Sequence, residues 1–184
     1  AVHIHCRLAE APQDISAIRV ATGECDALIG GDLVVSSGAK TIGLTSSGRT
    51  GAVVNNHETV TGEFTRNAEF KIPQDQLLVA LQARIKDRLS LFDATELAIE
   101  LMGDSIFSNM MVFGAAWQKG LVPVRHAAIV TAIELNGAAV EKNKRAFELG
   151  RWAVLYPKKA LAMTTPTVVG LPKSLEEKIE FRAE

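Results

Sequence analysis

Cysteine is almost missing from this chain: Cys6 and Cys25 are the only two in 184 residues. Two thiols cannot ligate a four-cysteine iron–sulfur cluster, and these two are not spaced as a metal knuckle or a redox pair. A reducing cytoplasm is the simplest setting for so few. Charge of one sign is missing too. Twenty Lys and Arg stand against 21 Asp and Glu, with no basic run, so nothing recommends nucleic acid or an anionic membrane as a partner. No apolar run approaches the ~20 residues of a membrane span, and no basic segment followed by an apolar one marks a signal peptide. The Gly-x-Gly-x-x-Gly fingerprint of a dinucleotide site does not occur, nor does a Gly-Asp-Gly…Asn motif or a nucleophile elbow. By its own residues the chain carries no recognisable catalytic set.

What is present suits one globular domain: 47% of the residues are hydrophobic and 22% charged, enough to bury one core. Residues 1–8 alternate as a strand, with Val2, Ile4, Cys6 and Leu8 on one face and His3, His5 and Arg7 on the other. Residues 15–20 read as a second short strand, and residues 27–32 as a strand buried on both faces. A short helix follows from Leu33, then a buried strand at 51–56, a helix over about 74–87 and a strand at 90–94. Asp93 or Thr95 caps a helix that runs to Gly103. Three helical segments lead on to Tyr156, residues 157–172 read as a loop, and a helix starts at Ser174. Since the chain opens directly on a strand and this last helix has no stop, it reads as a piece of a longer polypeptide. Strands alternating with helices predict an α/β, Rossmann-like fold, a mostly parallel sheet flanked by helices with a C-terminal helical segment. Ligands gather beyond the carboxyl ends of such strands. Three polar clusters fall there: Gly30-Gly31-Asp32, Asn55-Asn56-His57-Glu58, and Asp93 with Thr95.

Residues 103–123 predict a capped, tightly packed helix. Asp104 or Ser105 accepts from the first turn, Ile106, Met110, Phe113 and Trp117 make an apolar stripe, and Gly114, Ala115 and Ala116 let another element approach. Gly120 ends the helix and Pro123 suits the first turn of the next. Asn109 sits among that stripe, as Asn143 sits with Val140, Phe147 and Val154. Asparagine is a poor helix former, so both predict either a fixed packing bolt, bonded to a carbonyl or amide of a neighbouring helix end, or a ligand contact.

Gly30-Gly31-Asp32 predicts a tight turn with Asp32 capping the next helix rather than a phosphate loop. In the second cluster Asn55 and Asn56 shape a turn, while His57 is a candidate acid–base group with Glu58 able to orient it. That cluster serves either as a structural turn with a subunit contact or as an acid–base group. His3 and His5 could share a metal but lack a third ligand. His126, near a helix start, is expected to be exposed. Lys142, Lys144, Arg145 and Arg151 make a solvated basic face, with Glu141 pairing Arg145 at helical spacing.

Three runs together carry a family resemblance: Ser-Asn-Met-Met-Val-Phe-Gly-Ala at 108–115, Asn-Asn-His-Glu-Thr-Val-Thr-Gly-Glu-Phe-Thr-Arg-Asn at 55–67, and Ala-Val-Glu-Lys-Asn-Lys-Arg-Ala-Phe-Glu-Leu-Gly-Arg at 139–151. They resemble the gamma-type domain of 2-oxoacid:ferredoxin oxidoreductases, most of all the fused, large-chain indolepyruvate ferredoxin oxidoreductases. The resemblance implies a gamma-type domain over residues 1–156, without the family's glycine-rich N-terminal unit, and a linker with the start of a further helix over 157–184. It implies an enzyme that oxidatively decarboxylates an arylpyruvate to an acyl-coenzyme A. The parent enzyme would use thiamine diphosphate, iron–sulfur clusters and coenzyme A, none held by this piece alone. Its partners would be other domains or subunits of the same enzyme and ferredoxin, in a cytoplasmic homo-oligomer. Asn56, His57, Thr59 and Asn109 are the candidates for cofactor or interface contact. The rival readings are a purely structural interaction domain and a dinucleotide-binding oxidoreductase.

Overall fold

The computed structural model describes residues 2–57 and 74–165. Among these, three strands form one parallel sheet in the order β1 (Ala27–Gly30), β2 (Gly51–Asn55), β3 (Leu89–Phe92). Ala27 lies opposite Gly51, and Ala52 opposite Leu89. β2 is central and buried along its whole length, which is why its sequence is continuously apolar up to Asn55. Its side chains still alternate between faces. Ala52 and Val54 pack with Leu33, Leu81 and Ile85, while Val53 joins a separate cluster with Leu97, Met111, Val112 and Ala115. The first face is covered by α1 (Leu33–Ser37) and α3 (Gln74–Ile85), the two crossover helices. Consecutive strand order with crossovers of one hand places both on the same side. β1 is an edge strand, and Ile29 is 40% exposed there, so burial on both faces holds for β2 and not for β1. The short α2 (Ala39–Leu44) completes the first crossover.

Two expected strands are not formed. Residues 2–8 and 15–20 run irregularly, tied through side chains instead of a ladder: His5 Nδ1 accepts from the Val20 N–H at 3.1 Å and Arg7 Nη1 donates to the Arg19 carbonyl at 3.0 Å. The polar face of the first segment is thus the docked one. Val2, Ile4 and Leu8, on the apolar face, are 81%, 82% and 68% exposed. Alternation was legible, but which side is covered depends on the partners of His5 and Arg7.

The second face of the sheet carries α4 (Ala94–Met102), α5 (Ser108–Gln118), α7 (Val140–Leu155) and α8 (Pro157–Thr164), with α6 (His126–Asn136) packed outside them. Residues 157–164 are helical where a loop was expected, because Pro157 at the first turn is pre-set for a helix and Ala160 seals against the core. Asp104 caps a short turn over Ser105–Phe107, accepting from the Ile106 N–H at 2.9 Å, and α5 continues from it. Gly120 closes α5 at φ +74. Pro123 falls before α6, whose N-cap position is Arg125.

α5 and α7 meet backbone to backbone. A Cβ on Gly114 would collide with the Phe147 carbonyl oxygen, and one on Gly150 with that of Met111. Small residues at this crossing were legible. The stripe holds for Met110, Phe113 and Trp117, which pack against Ile129, Ile133 and Phe147, but not for Ile106, which is 66% exposed. The deepest residues, Met111, Val112, Ala115 and Ala116, lie on the sheet side. A helix clamped on two sides has no single apolar stripe.

α6 is pinned to α7 by polar contacts. His126 Nε2 and Glu148 Oε1 lie 2.6 Å apart, and Arg151 Nη1 donates to Glu148 Oε2 at 2.6 Å. The imidazole, with its side chain 40% exposed, packs edge-on against Trp117. Burial pushes the Glu148 carboxyl up, but the hydrogen bonds from His126 and Arg151 outweigh it and hold it below its ordinary value. The expected Glu141–Arg145 pair is replaced. Lys144 takes Glu134 at 2.7 Å and Glu141 at 3.2 Å, and Arg145 reaches the Leu101 carbonyl at 3.4 Å. Asn143 donates to the Ala138 carbonyl at 2.8 Å, at the turn between α6 and α7.

Two consequences are measurable. Gly150→Val forces main chain apart and should lower stability by about 3 kcal/mol, read as a fall in the urea midpoint. A carboxylate held below its ordinary value stabilises the fold above that value and loses this as pH falls through it. Glu148→Gln should therefore melt below the parent protein near neutral pH, with the gap closing in the acid carboxylate range.

Candidate functional site

The three strands deliver their polar ends to one edge. After β1, the chain turns at Gly30, where a Cβ would strike Ser36 Oγ. Asp32 then caps α1, accepting from the Val35 N–H at 2.8 Å, while Ser36 Oγ donates to the Asp32 carbonyl at 2.6 Å. A carboxylate already occupies this helix start, the place where a phosphate would otherwise bind. The Asp32 cap forms as expected.

Asn55 closes β2 and is 5% exposed. Its Oδ1 accepts from the N–H groups of Ala94, at 3.0 Å, and His57, at 3.2 Å. Its Nδ2 donates to Thr95 Oγ1 at 2.9 Å and to the Gly31 carbonyl at 3.3 Å. An amide has two donors and an oxygen with two lone pairs, and all four are used. Asn55 thereby ties the ends of β1, β2 and β3 together. Sequence reading gave it a local turn role; bonds to residues 24 and 40 positions away left no local signal.

Next along the chain, Asn56 donates its N–H to the Phe92 carbonyl at 3.2 Å, and its side-chain Oδ1 is buried with no hydrogen-bond partner among the described residues. His57 Nδ1 lies 3.0 Å from both carboxyl oxygens of Asp93. The same Asp93 caps α4, accepting from the Glu96 N–H at 2.7 Å. A carboxylate partner fixes the hydrogen on Nδ1 and leaves Nε2 as the basic ring nitrogen. The orienting carboxylate is therefore Asp93, brought from 36 residues away. Glu58, the neighbour expected to orient His57, lies outside the described residues, and so does Thr59.

Asn109 is not part of this edge. It is exposed, and its Oδ1 accepts from the adjacent Met110 N–H at 2.7 Å. α4 starts at the edge and α5 begins only beyond its far end, about 13 Å of helix away. The packing-bolt expectation fails for Asn109, because it lies in the first turn of α5, where its side chain takes a free N–H of its own helix. His5 spends Nδ1 on Val20, and among the described residues no group of three or more His, Cys, Asp or Glu is placed to hold a metal. Cys6 and Cys25 are both free. Burial pushes the Cys25 thiol up, which disfavours its thiolate.

The edge thus carries a buried Asn56 Oδ1 with no partner among the described residues and an imidazole oriented by Asp93, with no nucleophile beside the imidazole among the described contacts. Asn55→Ala should cost about 2 kcal/mol, because the buried Ala94 N–H loses its partner. Hydrogen exchange would show the loss concentrated at the start of α4.

No curated protein and no solved structure matches the chain significantly. The sequence profile of the pyruvate ferredoxin/flavodoxin oxidoreductase family matches residues 1–153. With that match spanning both the braced sheet edge and the α5–α7 helical layer, the chain belongs to the pyruvate ferredoxin/flavodoxin oxidoreductase family, as a domain of an oxidoreductase.

Proposed function

We propose that this is the gamma-type domain of an arylpyruvate enzyme of the indolepyruvate kind, which oxidises a 2-oxoacid to its acyl-coenzyme A and reduces ferredoxin. In that enzyme it buttresses the domains that hold thiamine diphosphate, within a cytoplasmic homo-oligomer. It also presents the Asn56–His57 edge to the pantetheine arm of coenzyme A. The observation carrying this reading is the buried Asn56 side-chain carbonyl, unpartnered among the described residues, next in sequence to an imidazole oriented by Asp93.

The donor chemistry sorts the family's cofactors. Two separate free cysteines do not fit an iron–sulfur cluster. The described residues gather no acidic metal site for a thiamine diphosphate cation. Coenzyme A fits better, through one part of the molecule. Asn56 Oδ1 and His57 Nε2 accept hydrogen bonds, which suits the amide N–H groups and thiol of the pantetheine arm. Asp32 and Asp93 disfavour its phosphates. When bound, coenzyme A supplies the acyl acceptor. His57 would then orient, or take the proton of, a donor at Nε2, with Asp93 compensating the imidazolium.

A second reading, a purely structural interaction domain, is favoured by the full engagement of Asn55 and Asp93 in bracing. A dinucleotide-binding oxidoreductase is disfavoured by Asp32 at the first helix start.

The deciding assay is anaerobic viologen or ferredoxin reduction by the full parent enzyme with an arylpyruvate, with and without coenzyme A. Reduction that needs both supports the reading. No reduction with any 2-oxoacid by an enzyme loaded with thiamine diphosphate and clusters sinks it. His57→Gln and Asn56→Leu should raise the KM for coenzyme A about tenfold, the scale of one lost hydrogen bond to a polar group, with assembly intact. Loss of assembly without a selective change in coenzyme A dependence would favour the scaffold.

A further inference from the structure

The turn between α6 and α7 holds chemistry that neither the sheet edge nor the core uses. Asn136 is the last residue of α6 and Gly137 follows it, and theirs is the one Asn-Gly pair in the sequence. Both residues are exposed. Gly137 sits at φ +72, and its N–H reaches the Glu134 carbonyl at 3.1 Å, a tightened last-turn bond. Two residues on, Ala139 lies at φ +43, a left-handed conformation that crowds a Cβ. The Asn143 side chain ties the Ala138 carbonyl at 2.8 Å and fixes the far side of the turn.

We propose that Asn136 is a site of spontaneous deamidation through the Gly137 amide. The Gly137 nitrogen gives up its hydrogen and attacks Cγ of Asn136. The N–Cγ bond forms, the Cγ–Nδ2 bond breaks, and Nδ2 leaves as ammonia carrying that hydrogen. The product is a five-membered succinimide. Water then opens one of its two ring C–N bonds, giving either aspartate or isoaspartate, whose main chain runs through Cγ. Overall, an amide and water become a carboxylate and ammonia, with no oxidant, reductant or cofactor.

Glycine at 137 leaves the attacking nitrogen unshielded. The bond opposing attack is the single one to the Glu134 carbonyl, at a helix end, where local opening is least costly. The product places a carboxylate at the negative end of the α6 dipole, two residues from Glu134, which Lys144 holds at 2.7 Å. Deamidation therefore loosens the hold of α6 on α7.

The test is to incubate the intact protein carrying this chain at neutral and mildly alkaline pH and follow the tryptic peptide of residues 126–142 by mass spectrometry. The expected result is a pair of products, each heavier by about one mass unit and placed at Asn136 by fragmentation. They form faster at alkaline pH, are absent from Asn136→Gln, and leave Asn109 and Asn143 unchanged. Hydrogen exchange should rise in α6 alongside them. Asn136 staying intact in the folded protein, over a time that converts the same peptide cut free, would overturn the proposal.

Discussion

The carboxyl edge of the sheet depends on one buried amide. Asn55 meets the strand to its left through the Gly31 carbonyl and the strand to its right through Thr95 and the Ala94 N–H. Short parallel strands end in free N–H and carbonyl groups, and a buried one left unpaired is costly. Asn55 supplies partners for three of those groups at once and holds the Thr95 hydroxyl besides, while Asp93 divides itself between the start of α4 and the His57 ring. The imidazole is held in one orientation because the frame beneath it is already saturated. This is how a chain without a recognisable catalytic motif still arranges a defined polar edge.

Much of this was written in local sequence. The runs that became β1, β2 and β3 are short and apolar, and each ends in polar residues whose convergence follows from parallel topology alone. Asp32 and Asp93 as caps, and Gly103 and Gly120 as helix ends, were legible because caps are chemistry over a few residues. What was not legible depended on distance. The partners of Asn55 and His57 lie far along the chain, so their roles could not be told from those of any turn asparagine or surface histidine. Ile106 misled for a related reason: it lies in a short 3₁₀ turn before α5, outside the helix whose period places Met110, Phe113 and Trp117 on one face.

The helical layer and the sheet edge divide the labour. α5, α7 and the small α8 make a dense slab against the second face of the sheet, while α6 rests on it through a few apolar residues and the His126–Glu148–Arg151 contacts. Exposed ion pairs of this kind are weak individually. α6 is thus held less firmly than the slab beneath it.

The crossing of Gly114 and Gly150 sets a rule for how the sequence can drift. In an ordinary core, an added methyl group meets a neighbouring side chain, and a smaller residue at that neighbour restores the fit. Here what an added Cβ meets is the Phe147 or Met111 carbonyl oxygen, and every amino acid has a carbonyl. No compensating substitution exists at either collision point. The two glycines are locked independently of what surrounds them, and relatives that lose one must carry the two helices farther apart.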